Sequence, residues 1–177
     1  MAAYILWYIP LAKITVKELA LFSVLGALTF AAKYVMSFLP NIEPVSLMVM
    51  LFAVLFGWKC LYPIYLYVGM ELLFYGIGLW NINYLYIWAI LAAGAMLVRK
   101  MSSPVGWALL SGTFGLLFGA FCGIVDVFIG GISYAVAKWA SGIPFDIMHC
   151  AGNFVLALLL FKPMRELMEK LYAKMTR

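Results

Sequence analysis

The sequence predicts an all-α integral membrane protein: a compact bundle of six transmembrane helices with both termini in the cytoplasm. Of the 177 residues, 67% are hydrophobic and 11% are charged, and the mean hydropathy is +1.06. A chain with so little polar surface cannot cover a water-soluble core. Because a membrane-spanning helix takes about 20 apolar residues, the apolar runs leave room for about six spans, and none for a separate soluble domain.

The predicted elements follow in order along a single membrane domain. Residues 1–17 are predicted to be an interfacial segment, because their apolar run is too short to span and no cleavage site follows it. Spans two and four are short, which indicates helices shielded by neighbours or lying beside a pocket. A cytoplasmic amphipathic tail over 162–177 closes the chain. The spans themselves are predicted at 18–39, 45–58, 60–80, 84–98, 106–129 and 146–161.

The distribution of cations predicts the orientation of the bundle. Lys33, in the outer part of span one, and Lys138, in the loop between spans five and six, are the two exceptions to a single cationic side. By the positive-inside rule the cationic side is cytoplasmic, so the net charge of +5 needs no nucleic-acid partner. The cations on that side are Lys13, Lys17, Lys59, Arg99, Lys100, Lys162, Arg165, Lys170, Lys174 and Arg177.

A stiff polar elbow, SFLPNIEPVSL over 37–47, falls on the outer side between the first two spans. Pro40 and Pro44 fix the backbone around Asn41 and Glu43, because proline restricts its own torsion and that of the preceding residue. The elbow is predicted to contact a ligand. The alternative is a tight turn that only ends a helix.

Further polar and aromatic residues are predicted on the same outer side. Glu71 is the strongest hint of function, because an ionisable group near the membrane centre costs a few kcal/mol and must be paired or face water. A structural ion pair with Lys33 is the alternative. Rings with a few polar groups suit a flat, partly polar small molecule, although aromatic belts also line membrane interfaces. The candidates are Glu71, Tyr75, Trp80, Asn83, Tyr84, Trp88, Asp126 and Trp139.

Three polar residues of span six share one helical face and are predicted to line a cavity: Asp146, His149 and Asn153. Asp146 could instead be the N-cap of its helix, and His149 a packed core histidine. An intramembrane enzyme built on Asp146 and His149 is a rival reading. The sequence holds no HExxH, no GxSxG and no carboxylate pair at catalytic spacing, so no catalytic or metal-ligating residues are predicted.

Two stripes of small residues could let helices approach closely. Ala27 and Ala31 stand four apart in span one, and Gly115, Gly119 and Gly123 repeat the same spacing in span five. One stripe can serve internal packing and the other a partner. Spacing alone does not decide which.

Three features together resemble the substrate-binding S components of energy-coupling factor (ECF) vitamin transporters. They are the AxxxA stripe at Ala27 and Ala31, the run FLPNIEPVSLMVMLFAVLFGWK through the elbow into span two, and GIPFDIMHCAGNFVLALLLFKP in span six. The resemblance covers residues 16–165. It implies a multi-pass protein of a prokaryotic plasma membrane that captures a vitamin or related micronutrient from outside, with no bound cofactor.

The resemblance also implies partners and roles. The S component would deliver its vitamin to a transmembrane coupling protein and two cytoplasmic ATPases, with Ala27 and Ala31 touching the coupling protein and the elbow acting as a lid. No GxxxxGK[ST] phosphate loop occurs, so any ATP hydrolysis is expected to come from the partners. As a transport subunit, the chain is expected not to be an enzyme. The resemblance favours cobalamin as the substrate. A thiamine- or pyrimidine-type ligand is the alternative, as is a stand-alone secondary carrier, although no internal repeat is apparent.

Overall fold

A computed structural model describes residues 14–175, and all regular structure within that range is helical. The predicted interfacial segment lies outside the described residues, except for its last four. A short 3-10 turn, Gly57–Cys60, connects the second and third helices. The α-helices are α1 (Val16–Met36), α2 (Val45–Phe56), α3 (Leu61–Tyr75), α4 (Leu79–Leu97), α5 (Pro104–Leu116) and α6 (Phe118–Met175).

Four helical stretches are long and apolar enough to cross a membrane: Val16–Met36, Val45–Tyr75, Leu79–Leu97 and Pro104–Met175. The all-helical prediction is therefore confirmed for the described residues, and the stretches fit a multi-pass membrane protein. The count of six spans and the cytoplasmic position of the termini remain predictions.

The second stretch reverses direction within itself. Glu43, just before α2, and Glu71, near the end of α3, both reach Lys33 of α1, so α2 and α3 run antiparallel. The reversal falls at the 3-10 turn, where Gly57 has φ 56°, a backbone conformation that costs glycine little.

The fourth stretch also reverses, at Gly131 inside α6. Gly131 has φ 80° and ψ 177°, outside the helical region. The backbone N–H of Gly119 donates to Asp146 at 3.0 Å, and Lys138 pairs with Asp126 at 2.6 Å. In one straight helix Asp126 and Lys138 would lie about 18 Å apart. Residues 118–130 and 132–149 therefore form a helical hairpin.

The predicted outer loop between spans five and six is wrong, because residues 132–145 are helical. Gly131 makes the turn almost alone, and the alanine-rich run that follows, AVAKWA, favours helix. The predicted tail is likewise not a separate element, since residues 162–175 continue α6.

Helix α2 lies at the centre of the bundle. Nine consecutive residues, 45–53, are buried, as expected of a helix that is apolar all round. Helix α2 packs on α4 and α6, while α1 packs on α3, and α5 packs on α6. The short second span is thus a helix that its neighbours shield.

Two of the three glycines in the stripe, Gly115 and Gly119, are used for internal packing, whereas Gly123 faces open space. A Cβ at Gly115 would lie 2.8 Å from the carbonyl oxygen of His149, and one at Gly119 would lie 2.5 Å from the carboxylate of Asp146. Glycine at these two positions lets α5 and residues 118–130 pack closely on residues 132–149. In contrast, Ala31 is exposed and Ala27 half-buried on α1, so the rest of the described chain leaves the alanine stripe largely uncovered.

Candidate functional site

A buried ion pair lies where α1, the elbow, α3 and α4 meet. Lys33 Nζ is 2.7 Å from Glu71 Oε2 and 3.8 Å from Glu43 Oε2. The ring centroids of Tyr84, Tyr67 and Tyr75 lie 5.5, 5.9 and 6.0 Å from the same nitrogen, within the range of a cation–π contact. We call these six residues, together with Trp88, the Lys33 cluster.

The ion pair leaves several buried polar atoms of this cluster without a hydrogen-bond partner. They are Glu71 Oε1, the Tyr67 hydroxyl and Trp88 Nε1, on side chains that are at most 2% exposed. Buried polar groups are nearly always paired, because an unpaired one costs about 1–3 kcal/mol. These three side chains therefore offer one acceptor and two donors to a ligand or to ordered water.

Aromatic rings extend the cluster across the bundle. Trp80 contacts both Tyr75 and Tyr84, with ring centroids 6.5 and 5.2 Å away, and Tyr84 contacts Trp88 at 5.4 Å. Phe118 of α6 continues the series, lying 5.8 Å from Trp88 and 4.9 Å from the His149 ring. His149 therefore lies at the same end of the bundle, beyond Phe118.

The elbow is held against this cluster from two sides. Glu43 faces Lys33, and Ile42 packs on Gly152 of α6, where an added Cβ would lie 3.0 Å away. Asn41 has φ 57°, a left-handed conformation that asparagine tolerates better than most residues. Burial raises the pKa of the Glu43 carboxyl; Lys33 opposes that rise and Glu71 adds to it.

Asn153 braces the start of α2. Its side-chain amide donates to the Ser46 hydroxyl at 3.0 Å and to the Ser111 carbonyl at 3.2 Å. These bonds connect α6 to α2 and α5 just below the elbow. The structure thus gives Asn153 a positioning role.

Asp146 connects the two arms of the α6 hairpin, whereas Asn83 forms a hydrogen bond within α4. Asp146 lies within its own helix and does not cap it; its Oδ1 accepts from Gly119, in the first turn after the break at Leu117. Asn83 Oδ1 accepts from the Tyr86 hydroxyl at 2.9 Å. No contact joins either residue to Lys33.

The last two predicted residues lie on the hairpin near its turn. Asp126 is buried and pairs with Lys138, whose side chain is half exposed. Trp139, the residue after Lys138, is exposed. The structure therefore brings Glu43, Glu71, Tyr75, Trp80, Tyr84 and Trp88 together, and places Asp126 and Trp139 apart from them.

Sequence reasoning overlooked Tyr67 and treated Lys33 only as an alternative partner of Glu71. Tyr67 stands four residues before Glu71, so the two share one face of α3. That spacing could have identified Tyr67. Within residues 14–175, no group of three His, Cys, Asp or Glu side chains is placed to hold a metal ion.

No protein-family model matches the sequence, and comparisons with curated proteins and with solved structures gave no match. The functional argument therefore rests on the residues themselves.

Proposed function

We propose that this chain is the substrate-capturing S component of an ECF-type transporter, binding a vitamin or related micronutrient from outside the cell for ATP-driven import. The single observation that carries the proposal is the set of buried, unpartnered atoms in the Lys33 cluster: Glu71 Oε1, the Tyr67 hydroxyl and Trp88 Nε1. They supply one acceptor and two donors between aromatic rings, which is how proteins fix the orientation of a flat, partly polar ligand.

The proposal includes a topology. Taking the reversals at Gly57 and Gly131 as two turns divides the chain into six spans. The Lys33 cluster then lies on the outer side of a prokaryotic plasma membrane, and both termini lie in the cytoplasm. The elbow would cover the cluster from outside.

The other end of the bundle supports a capture subunit over a complete carrier. There Glu18 pairs with Lys59 at 2.6 Å and accepts a further bond from Tyr172 at 3.3 Å. Among the described residues, three of the six buried polar atoms without a partner belong to the Lys33 cluster and none to Glu18; the other three are Asn81 Nδ2, the Ser111 hydroxyl and Asp146 Oδ2. A pathway through the bundle would need polar groups that are free to contact the ligand at both ends.

Two lines of argument favour different substrates. The resemblance in the elbow and in span six leans towards cobalamin. The carboxylates and rings of the Lys33 cluster suit a smaller, thiamine- or pyrimidine-type ligand.

Identification of the bound molecule tests the proposal. The chain would be purified in detergent from cells grown on rich medium and denatured, and the released small molecules would be identified by mass spectrometry. A vitamin in stoichiometric amount is the expected result. An empty protein that binds no vitamin, or a chain that imports its substrate into liposomes without partners or ATP, would contradict the proposal.

The alanine stripe provides a test of the partner proteins. Ala27→Leu with Ala31→Leu should leave ligand binding unchanged and end uptake, because these residues are proposed to contact the coupling protein. Ala151→Leu, at an exposed alanine of α6, is the matched control. Normal uptake by the double variant would refute the assignment.

A further inference from the structure

The Lys33 cluster contains more negative than positive charge. Two carboxylates, Glu43 and Glu71, share one ammonium, whereas Glu18 and Asp126 each have a lysine of their own. Lys33 is close to Glu71 but 3.8 Å from Glu43. With both carboxylates ionised, one negative charge in this cluster therefore lacks a counterion.

The surroundings of the ammonium already form a cation site. Two carboxylates and three rings surround the ammonium group of Lys33, which is the only cluster residue on α1. The surrounding residues are Glu43 of the elbow, Tyr67, Glu71 and Tyr75 of α3, and Tyr84 of α4. Ring faces and carboxylates are the groups that proteins place around organic cations. The free Oε1 of Glu71 is an acceptor in the same place.

We propose that the ligand carries a positively charged group, which binds beside Lys33 and pairs with Glu71 Oε1 and the Glu43 carboxylate. This inference rests on the proposed function. Trp88 Nε1 and the Tyr67 hydroxyl remain to donate to a neutral acceptor elsewhere on the ligand, such as a ring nitrogen. An anionic ligand would add charge beside a carboxylate that has no counterion, which costs binding energy in a buried site.

A pH dependence follows from the same geometry. Burial raises the pKa of Glu43 in the free protein, and a bound cation would stabilise the ionised carboxylate. Binding would therefore release a proton, so affinity is present above the free-protein pKa of Glu43 and is lost as pH falls below it. The other titratable groups that interact with Glu43 are Lys33, Glu71, Tyr67 and Tyr84.

Groups on α6 could also titrate at this end of the bundle. Asp146 and His149 lie beyond Phe118, and protonation of either would likewise oppose a cation. Glu43→Gln separates their effects from that of Glu43, because it removes one carboxyl and leaves α6 intact.

The test titrates the full chain in detergent with three probes: thiamine, a cation; riboflavin, flat and uncharged; and cyanocobalamin, large and uncharged. We expect thiamine to bind, with an affinity that rises about tenfold for each pH unit up to the pKa of Glu43 and is constant above it. Glu43→Gln should weaken binding about tenfold or more and flatten this profile. Glu18→Gln, in the other buried pair, should leave the profile unchanged.

The outcomes distinguish the two proposals. Binding of riboflavin or cyanocobalamin but not thiamine overturns the charge inference and leaves the capture function standing, as does thiamine binding that Glu43→Gln does not alter. Glu43-dependent binding of thiamine by a chain that imports it without partners supports the inference and overturns the transporter assignment. No binding of any probe by a protein that also releases no ligand overturns both.

Discussion

Residues 14–175 contain two buried glutamate–lysine pairs, Glu71–Lys33 and Glu18–Lys59, one near each end of the bundle, and they differ in what surrounds them. The Glu18–Lys59 distance is 2.6 Å and the Glu71–Lys33 distance is 2.7 Å. Glu18 uses both oxygens: Oε1 accepts from Lys59 and Tyr172, and Oε2 from the backbone and hydroxyl of Thr15. Glu71 uses one oxygen and leaves the other without a partner.

The difference shows that the length of an ion pair does not reveal its role. A carboxylate has about four lone-pair directions, and those that remain after the ion pair decide whether the group can bind anything else. Glu18 connects the start of α1, the turn at Lys59 and the end of α6, with nothing left over. Glu71 keeps an acceptor between rings, as a binding residue must.

The largest expected effect comes from removing the cation of the Lys33 cluster. Lys33→Met leaves Glu71 charged, buried and unpaired, which should lower the free energy of unfolding by about 3–5 kcal/mol. The double variant Lys33→Met, Glu71→Leu should recover most of that loss, because an apolar pair needs no counterion. Thermal unfolding in detergent measures both. A double variant as unstable as Lys33→Met would show that the charges are not what destabilises the single variant.

The next effect separates the two glutamates by binding. Glu71→Gln should weaken affinity for the released ligand about a hundredfold, since a hydrogen bond to a charged group contributes about 1.5–3 kcal/mol. Glu18→Gln should leave affinity unchanged. Calorimetric titration of each folded variant provides the measurement. Equal losses of affinity in the two variants would show that the two ion pairs do not differ in ligand binding.

A smaller loss of stability is expected from a substitution in the Glu18–Lys59 pair at the opposite end of the bundle. Lys59→Met removes one of four bonds to Glu18. Because the Lys59 side chain is about a quarter exposed, solvent near Glu18 can partly replace the lost bond. The free energy of unfolding should fall by about 1–2 kcal/mol with no change in ligand affinity. Unfolding and titration on the same sample test this, with Lys59→Arg as the conservative control.

The sequence predicted four of the five residues of the Lys33 cluster on α3 and α4, all but Tyr67, because they share one side of a simple helical connection. Glu71, Tyr75, Tyr84 and Trp88 need only helical periodicity and a short turn to converge. The helical class was likewise predictable from hydropathy. What periodicity does not give is the partner on another helix, which is why Asn153 was predicted to line a cavity and instead braces α2.

The hairpin of α6 shows the same limit for backbone structure. Its turn depends on one glycine torsion at Gly131. Close packing on its second arm depends on Gly119 in its first arm and on Gly115 in α5. The sequence marks these glycines but not their conformation. The segment after the turn was therefore predicted as a loop, and Lys138 was placed in it and not opposite Asp126.

The smallest effect is expected at a third ion pair, Asp126–Lys138, which is the most exposed of the three. Asp126 and Lys138 lie only 2.6 Å apart, but the Lys138 side chain is half exposed, so solvent or lipid headgroups can stabilise its charge without Asp126. Asp126→Asn should lower the free energy of unfolding by less than about 1 kcal/mol and leave ligand affinity unchanged. The hairpin should stay closed, because close packing at Gly119 holds it.

Glycine packing is expected to matter more than this ion pair. Gly115→Ala in α5, whose Cβ would meet the His149 carbonyl, should destabilise the protein more than Asp126→Asn does, whereas Gly123→Ala, with open space around it, should not. If Asp126→Asn proved the more damaging change, the ion pair and not glycine packing would hold these helices together, and exposure would be a poor guide to the strength of an ion pair in this bundle.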